Sequence, residues 1–151
     1  MHLRIPPPVI GLAGGAAIWF AAKAAPALIV SFPGRVIVAG VLVAIAVLIE
    51  GGGVWRFIRH KTTVNPLKPD RASSLVVTGV YRFSRNPMYL GLVCLLAAWG
   101  VYLGALIATL IVVAAVVWYL TEFQIKPEEA ALEKRFGDPY HAYKQKVRRW
   151  L

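Results

Sequence analysis

Two short stretches of this chain carry residue types that do chemistry together. The first runs through Tyr81, Arg82, Arg85, Asn86 and Tyr89; the second is the pair Glu128-Glu129. A carboxylate binds an ammonium group or ribose hydroxyls, an arginine fork binds a carboxylate, and aromatic faces stack on a base or attract a sulfonium cation. Such groups together suit a zwitterionic or cationic small molecule. Acid–arginine pairs at a membrane interface also occur as purely structural features, and residue types alone leave both readings open. Glu50 is a third candidate. It closes an apolar run, where an ionisable group is functional by default, although headgroups, Arg56 or Arg59 would also satisfy it.

Other chemistries find no footing. His2, His60 and His141 have no metal-ligand spacing, and the single cysteine, Cys94, lies in an apolar run as a small packing residue. There is no Gly-x-Ser-x-Gly, no His-Glu-x-x-His and no phosphate-binding glycine loop. Gly11, Gly14 and Gly15 sit in an apolar block, not behind a strand.

The elements that must position the two stretches are membrane helices. Hydrophobic residues make up 58% of the 151, too many for a soluble domain of this length, and they come in blocks. The net charge of +10 is explained by cytoplasmic loops and anionic headgroups, so no nucleic-acid partner is expected. The reading is an all-α integral membrane protein forming one domain. It has four transmembrane helices, at about residues 9–30, 36–57, 87–103 and 105–122, with a loop over 59–86 and amphipathic tail helices over 127–151. The first apolar block reads as a retained span, and its glycines give it a face that a neighbouring helix can approach closely. Pro26 kinks or ends it. Gly51-Gly52-Gly53 reads as an interruption of the second block.

Asn86 before Pro87 reads as an N-cap, with Pro87 in the first turn of the third helix. The apolar run from Met88 to Thr121 would make a straight helix of about 50 Å at ~1.5 Å per residue, against a ~30 Å hydrocarbon core, so it is read as a tight hairpin turning between Gly100 and Gly104. Pro127 reads as the start of a separate tail helix ending at Gly137, and the next helix places Tyr140, Tyr143 and Val147 on one face, as suits a helix lying on the membrane. Of the basic residues, Lys23 and Arg35 alone fall between spans one and two, and none between three and four. Positive-inside then puts both termini and both polar stretches in the cytoplasm.

The two stretches also carry a resemblance. Leu75-Val76, Thr78-Gly79-Val80-Tyr81 and Arg85-Asn86-Pro87-Met88-Tyr89-Leu90-Gly91 are followed by Glu128-Glu129-x-x-Leu132-x-x-x-Phe136-Gly137-x-x-Tyr140-x-x-Tyr143-x-x-x-Val147. From about Thr62 to its end the chain resembles the isoprenylcysteine carboxyl methyltransferase family and, more loosely, the phospholipid N-methyltransferases. The resemblance implies a cytoplasm-facing pocket for S-adenosylmethionine at the tops of the last two spans. It implies that Leu75, Val76, Tyr81, Asn86, Pro87, Met88, Tyr89 and Glu128 meet the cofactor. It further implies a lipophilic acceptor entering sideways from the bilayer. The chain departs from the eukaryotic enzymes at Asn86, where they have histidine. It departs again at Gln124, where they have an arginine that meets the prenylcysteine carboxylate. Arg85, Gln124, Glu129 and Glu50 are the candidate catalytic residues, with Gln124 and Glu50 on the acceptor side. Carboxylate, amine and thiol acceptors all stay open.

The expected function is thus S-adenosylmethionine-dependent methyl transfer in a membrane, expected to be a prokaryotic inner membrane, with no obligate protein partner. Two rivals remain: an NADPH-dependent membrane reductase, since sterol reductases share a related tail pattern, and a small membrane protein that packs on a larger partner through its glycine-bearing first helix.

Overall fold

The structure, a computed structural model, describes residues 5–59 and 75–151, and all regular structure among them is helical. Most of the loop expected over 59–86 therefore lies outside the described residues. Helix α1 (Pro7–Ala24) starts on Pro7-Pro8, where a missing N–H costs nothing, and stops before a single 3-10 turn at Pro26–Leu28. Pro26 ends this helix and does not kink it. Helix α2 (Arg35–Arg59) follows a turn in which Gly34 takes φ +82°.

Helix α2 runs straight through Gly51-Gly52-Gly53, so the interruption read from the sequence does not occur. Glycine in a helix costs roughly 1 kcal/mol relative to alanine, and here the absent side chains make room. A Cβ on Gly52 would stand 3.1 Å from Val80, and one on Gly53 would stand 3.5 Å from Met88 and 3.7 Å from the Tyr81 hydroxyl. The glycines seat α2 directly on the first polar stretch.

Helix α3 (Pro87–Leu103) and helix α4 (Leu106–Leu120) form the expected hairpin. Gly104 closes α3 with φ +74°, a conformation that favours glycine, and its carbonyl accepts a 2.9 Å bond from the Val30 amide. Gly100 lets the hairpin close, because any Cβ there would collide with the side chain of Thr109. Helix α3 is central: α2 lies on one face, α1 and α4 on the other. Leu92 and Leu96 of α3 pack where Gly11 and Gly14 of α1 have no side chains. Ile10, Ile18, Tyr89, Leu96, Val116, Leu120 and Ile125 make the core between these elements.

Pro127 stands in the first turn of a tail helix, as read, but that helix is not separate from α4. Helix α4 passes through a π turn at Thr121–Ile125 into α5 (Lys126–Phe136), and α6 (Asp138–Lys146) follows a turn at Gly137. A proline inside a helix clashes with the carbonyl four residues back. Here that carbonyl, of Phe123, lies in the widened turn, where the Lys126 amide bonds back to Thr121.

Two helical stretches, Arg35–Trp55 and Leu106–Phe136, are long and apolar enough to cross a membrane, and Pro87–Leu103 is a shorter apolar helix. Ile37, Leu48, Trp55, Leu110, Ile111 and Trp118 all face outward. So continuous an apolar exterior is unsuited to water and suited to lipid.

Candidate functional site

The first polar stretch enters the fold without regular structure at Leu75–Val77, is extended at Thr78, then makes a 3-10 turn over Gly79–Arg82. The turn buries Tyr81, and the Tyr143 hydroxyl of α6 donates a 2.7 Å bond to the Tyr81 carbonyl. Leu75 packs against Tyr140, Tyr143 and Val147. The apolar face of α6, expected to lie on the membrane, is therefore covered by this stretch of the protein itself.

Asn86 occupies the N-cap position of α3, but its side chain does not cap the helix. Its amide instead donates to the carbonyl of Arg149 at 3.0 Å, while its backbone amide donates to the Ser84 hydroxyl at 3.1 Å. Pro87 is buried in the first turn, as read. Two residues on, Tyr89 faces the core, and its hydroxyl donates a 2.7 Å bond to Glu128 Oε1 in the first turn of α5. The two polar stretches thus meet at this pair.

Glu129, one residue further round α5, has different partners. It is 7% exposed and takes both Arg149 Nε and Nη2, at 3.0 and 2.8 Å, in a bidentate fork. Arg85 Nη1 stands 3.1 Å away as an ion pair, without the alignment of a hydrogen bond. Its Nε and Nη1 are buried without hydrogen-bond partners among the described residues. The bond to Glu129 holds the Arg149 guanidinium even more firmly in its charged form. Glu129 is locked between two cations.

Gln124 lies in the π turn, one turn before Glu128, and is fully buried. Its Nε2 donates to the carbonyl of Ile5 at 2.7 Å, and its Oε1 has no hydrogen-bond partner among the described residues. Glu50 is not brought to this group. Its side chain folds over Gly91, where an added Cβ would stand 2.7 Å from its Oε1. Gly91 and Tyr89 are two residues apart on a helix, roughly 200° around it, so Glu50 and Glu128 flank opposite faces of α3. A pairing of Glu50 with Arg56 or Arg59 falls outside the described side chains.

A cavity of ≈ 600 Å³ opens beside α6, lined by Leu75, Val77, Arg82, Tyr143, Lys146 and Val147. Of the expected cofactor residues it includes only Leu75, so it lies apart from the Tyr89–Glu128 pair. Sequence reading also missed the carboxy-terminal segment after α6. Arg149 reads there as one more basic residue, and no local pattern marks it as the partner of Glu129.

The tyrosines around the site share one electrostatic character. Burial, with Glu129 adding to it and Arg85 opposing, pushes Tyr140 up to about 12 from an ordinary 10.0. Burial likewise raises Tyr143, and burial with Tyr143 and Glu128 nearby raises Tyr81. The native state therefore holds these phenols protonated where the unfolded chain would lose protons. The resulting stability is complete below pH 10 and is lost as pH rises through the native values. The melting temperature in detergent is expected to fall steeply above about pH 10, and less steeply in Tyr143→Phe. Equal alkaline slopes for the two proteins would contradict this.

Two of the comparisons with known proteins name methyltransferases. The model of the phospholipid methyltransferase family matches residues 34–139. A protein-S-isoprenylcysteine O-methyltransferase of Schizosaccharomyces pombe is 34% identical over 80 residues, which are 53% of this chain and 34% of the yeast enzyme. An uncharacterized protein of Haemophilus influenzae is 50% identical over 64 residues, which are 42% of this chain and 100% of that protein. No solved structure matches significantly. Helices α2 to α5, with the Tyr89–Glu128 pair they carry, all fall inside the family match, and the chain belongs to the phospholipid methyltransferase family.

Proposed function

We propose that the protein transfers a methyl group from S-adenosylmethionine to a lipophilic acceptor that reaches the site from the bilayer. The observation that carries this reading is the Tyr89–Glu128 bond, which joins the two polar stretches at the top of the α3–α4 hairpin. Helices α1 to α4 are the proposed spans. The excess of Lys and Arg in the middle loop and tail argues for a cytoplasmic site, with both termini on that side.

The residues present fit the cofactor. The Nε and Nη1 of Arg85, buried without hydrogen-bond partners among the described residues, are donors suited to a carboxylate, beside the ion pair that Nη1 makes with Glu129. Glu128 suits an ammonium or ribose hydroxyls. Tyr81 and Tyr89 offer aromatic faces beside them, and the Leu75-Val76 and Asn86-Pro87-Met88 segments complete the proposed cofactor set. When bound, S-adenosylmethionine supplies an electrophilic methyl group. The protein's own contribution is alignment and exclusion of water: the tail helices cover the polar stretch, and α2 closes it from the other side. On the acceptor side, Gln124 Oε1 is a buried hydrogen-bond acceptor whose amide partner, Nε2, is already committed to Ile5. It suits an acceptor group that brings its own proton.

The reading is tested with purified protein in nanodiscs of bacterial total lipid, using cofactor labelled in the methyl group. Label is expected in the organic phase. Label that stays wholly in the aqueous phase, across amine, carboxylate and thiol lipids, would overturn it.

A further inference from the structure

We infer that the carboxy-terminal segment Val147–Trp150 is a strap that holds the first polar stretch in register with α5, and that Arg149 is a positioning residue for the methyl transfer. This rests on the reading above. It concerns residues beyond the family match, which ends at residue 139.

At Val147 the chain leaves α6 in extended geometry, φ −124° and ψ 130°. The next three residues then reach three elements. The Arg148 carbonyl accepts the Arg85 amide at 3.1 Å. The Arg149 carbonyl accepts the Asn86 side-chain amide at 3.0 Å and the Ser84 hydroxyl at 3.4 Å. The Arg149 side chain forks onto Glu129 of α5, and the Trp150 indole N–H donates to the Thr121 hydroxyl of the π turn at 3.1 Å. Backbone contacts thus grip the residues just before Pro87, and side-chain contacts grip the helix that carries Glu128.

This arrangement has a mechanical consequence. Tyr89 follows Asn86 within one turn of α3, and Glu128 precedes Glu129 directly. Their 2.7 Å bond demands register between two elements distant in sequence. Arg85 supplies an ion pair to Glu129 without hydrogen-bond alignment, so the directed contact comes from Arg149. The fork also occupies both Glu129 oxygens, which leaves Glu128 as the carboxylate that faces the cofactor. Arg149 touches neither partner of the reaction and acts through Glu129 and Asn86.

The test uses the full chain in detergent, with S-adenosylhomocysteine titrated by calorimetry. Arg149→Gln is expected to weaken binding about tenfold or more. Arg149→Lys keeps the charge and one bond, and is expected to recover part of that loss. Gly104→Ala, in the turn at the far end of the hairpin, is the stability control: its melting temperature falls while its affinity stays at the wild-type value. If Arg149→Gln lowers melting but binds like wild type, or if Arg149→Lys recovers nothing, the positioning role is overturned.

Should Arg149→Gln fail to fold, Trp150→Phe removes the indole bond and part of the ring that packs on the core, and is expected to weaken binding roughly two- to fivefold; unchanged binding there contradicts the strap. Should wild type itself bind no S-adenosylhomocysteine, the proposed function fails, but the strap is still tested by hydrogen exchange. The Arg85 amide, bonded to Arg148, is expected to exchange slowly in wild type and faster in Trp150→Phe. Equal rates in the two would overturn the strap itself.

Discussion

Glu128→Ala is expected to weaken binding of S-adenosylhomocysteine by roughly 100-fold, while the protein still folds in detergent. Glu128 is half-buried and accepts the Tyr89 hydroxyl at 2.7 Å. Hydrogen bonds to a charged group contribute about 1.5–3 kcal/mol each, against about 1 for neutral pairs. Removing the carboxylate takes away the proposed ligand for the cofactor's polar end and the acceptor that orients Tyr89. The upper end of that range, about 3 kcal/mol, corresponds to roughly two orders of magnitude in affinity. Tyr89→Phe removes only the hydroxyl and leaves the carboxylate, and is expected to weaken binding about tenfold, the low end of that range at about 1.5 kcal/mol. Calorimetry on the two variants decides the matter: unchanged affinity in both would remove this pair from the site.

Glu129→Ala is expected to destabilise the fold strongly and, because it removes the fork through which Arg149 acts, to weaken S-adenosylhomocysteine binding about tenfold or more as well. Glu129 faces Arg85, whose side chain is 10% exposed, and Arg149, whose side chain is 33% exposed. Breaking a buried ion pair from one side costs about 3–5 kcal/mol, because the remaining charge stays buried without compensation. Net stabilities of domains are about 5–15 kcal/mol, so this is a large share. The double variant Arg85→Met with Glu129→Met is expected to regain most of the loss. It removes both buried charges and leaves Arg149, a third exposed, to return to water. Melting curves in one detergent read both effects. A single variant as stable as wild type would show that the triad contributes little.

What could be read from the chain and what could not divide along a physical line. Local signals placed the central helix. Pro87 marks its start and Gly104 its end, because each residue's backbone preference acts without reference to the rest of the fold. The spacing Tyr140-x-x-Tyr143-x-x-x-Val147 correctly identified one buried face. It did not reveal what covers that face, because a polar loop and a membrane surface ask for the same pattern. Gly51-Gly52-Gly53 reads as a break on propensity, yet the close seat of Val80 and Met88 overrides it. Pro127 reads as a helix start and does stand in the first turn of α5, but that α5 continues α4 through a π turn was not legible, because no residue pattern announces a π turn. Glu50 reads from the sequence as an ionisable group at membrane depth, with no local sign of which face of α3 it meets. Only the three-dimensional position of Gly91 shows that α3 stands between it and Glu128. Arg149 was invisible for a related reason: its pairing with Glu129 spans 20 residues and is created by the path of the strap.

The central claim is that the Tyr89–Glu128 site holds S-adenosylmethionine. Its most direct test is a melting curve in mild detergent with S-adenosylhomocysteine, and a parallel one with NADPH. At 100 times its dissociation constant a ligand stabilises by about 2.7 kcal/mol. A clear upward shift with S-adenosylhomocysteine, absent in Glu128→Ala and absent with NADPH, is the predicted result. No shift with S-adenosylhomocysteine, or a shift with NADPH in its place, would contradict the account.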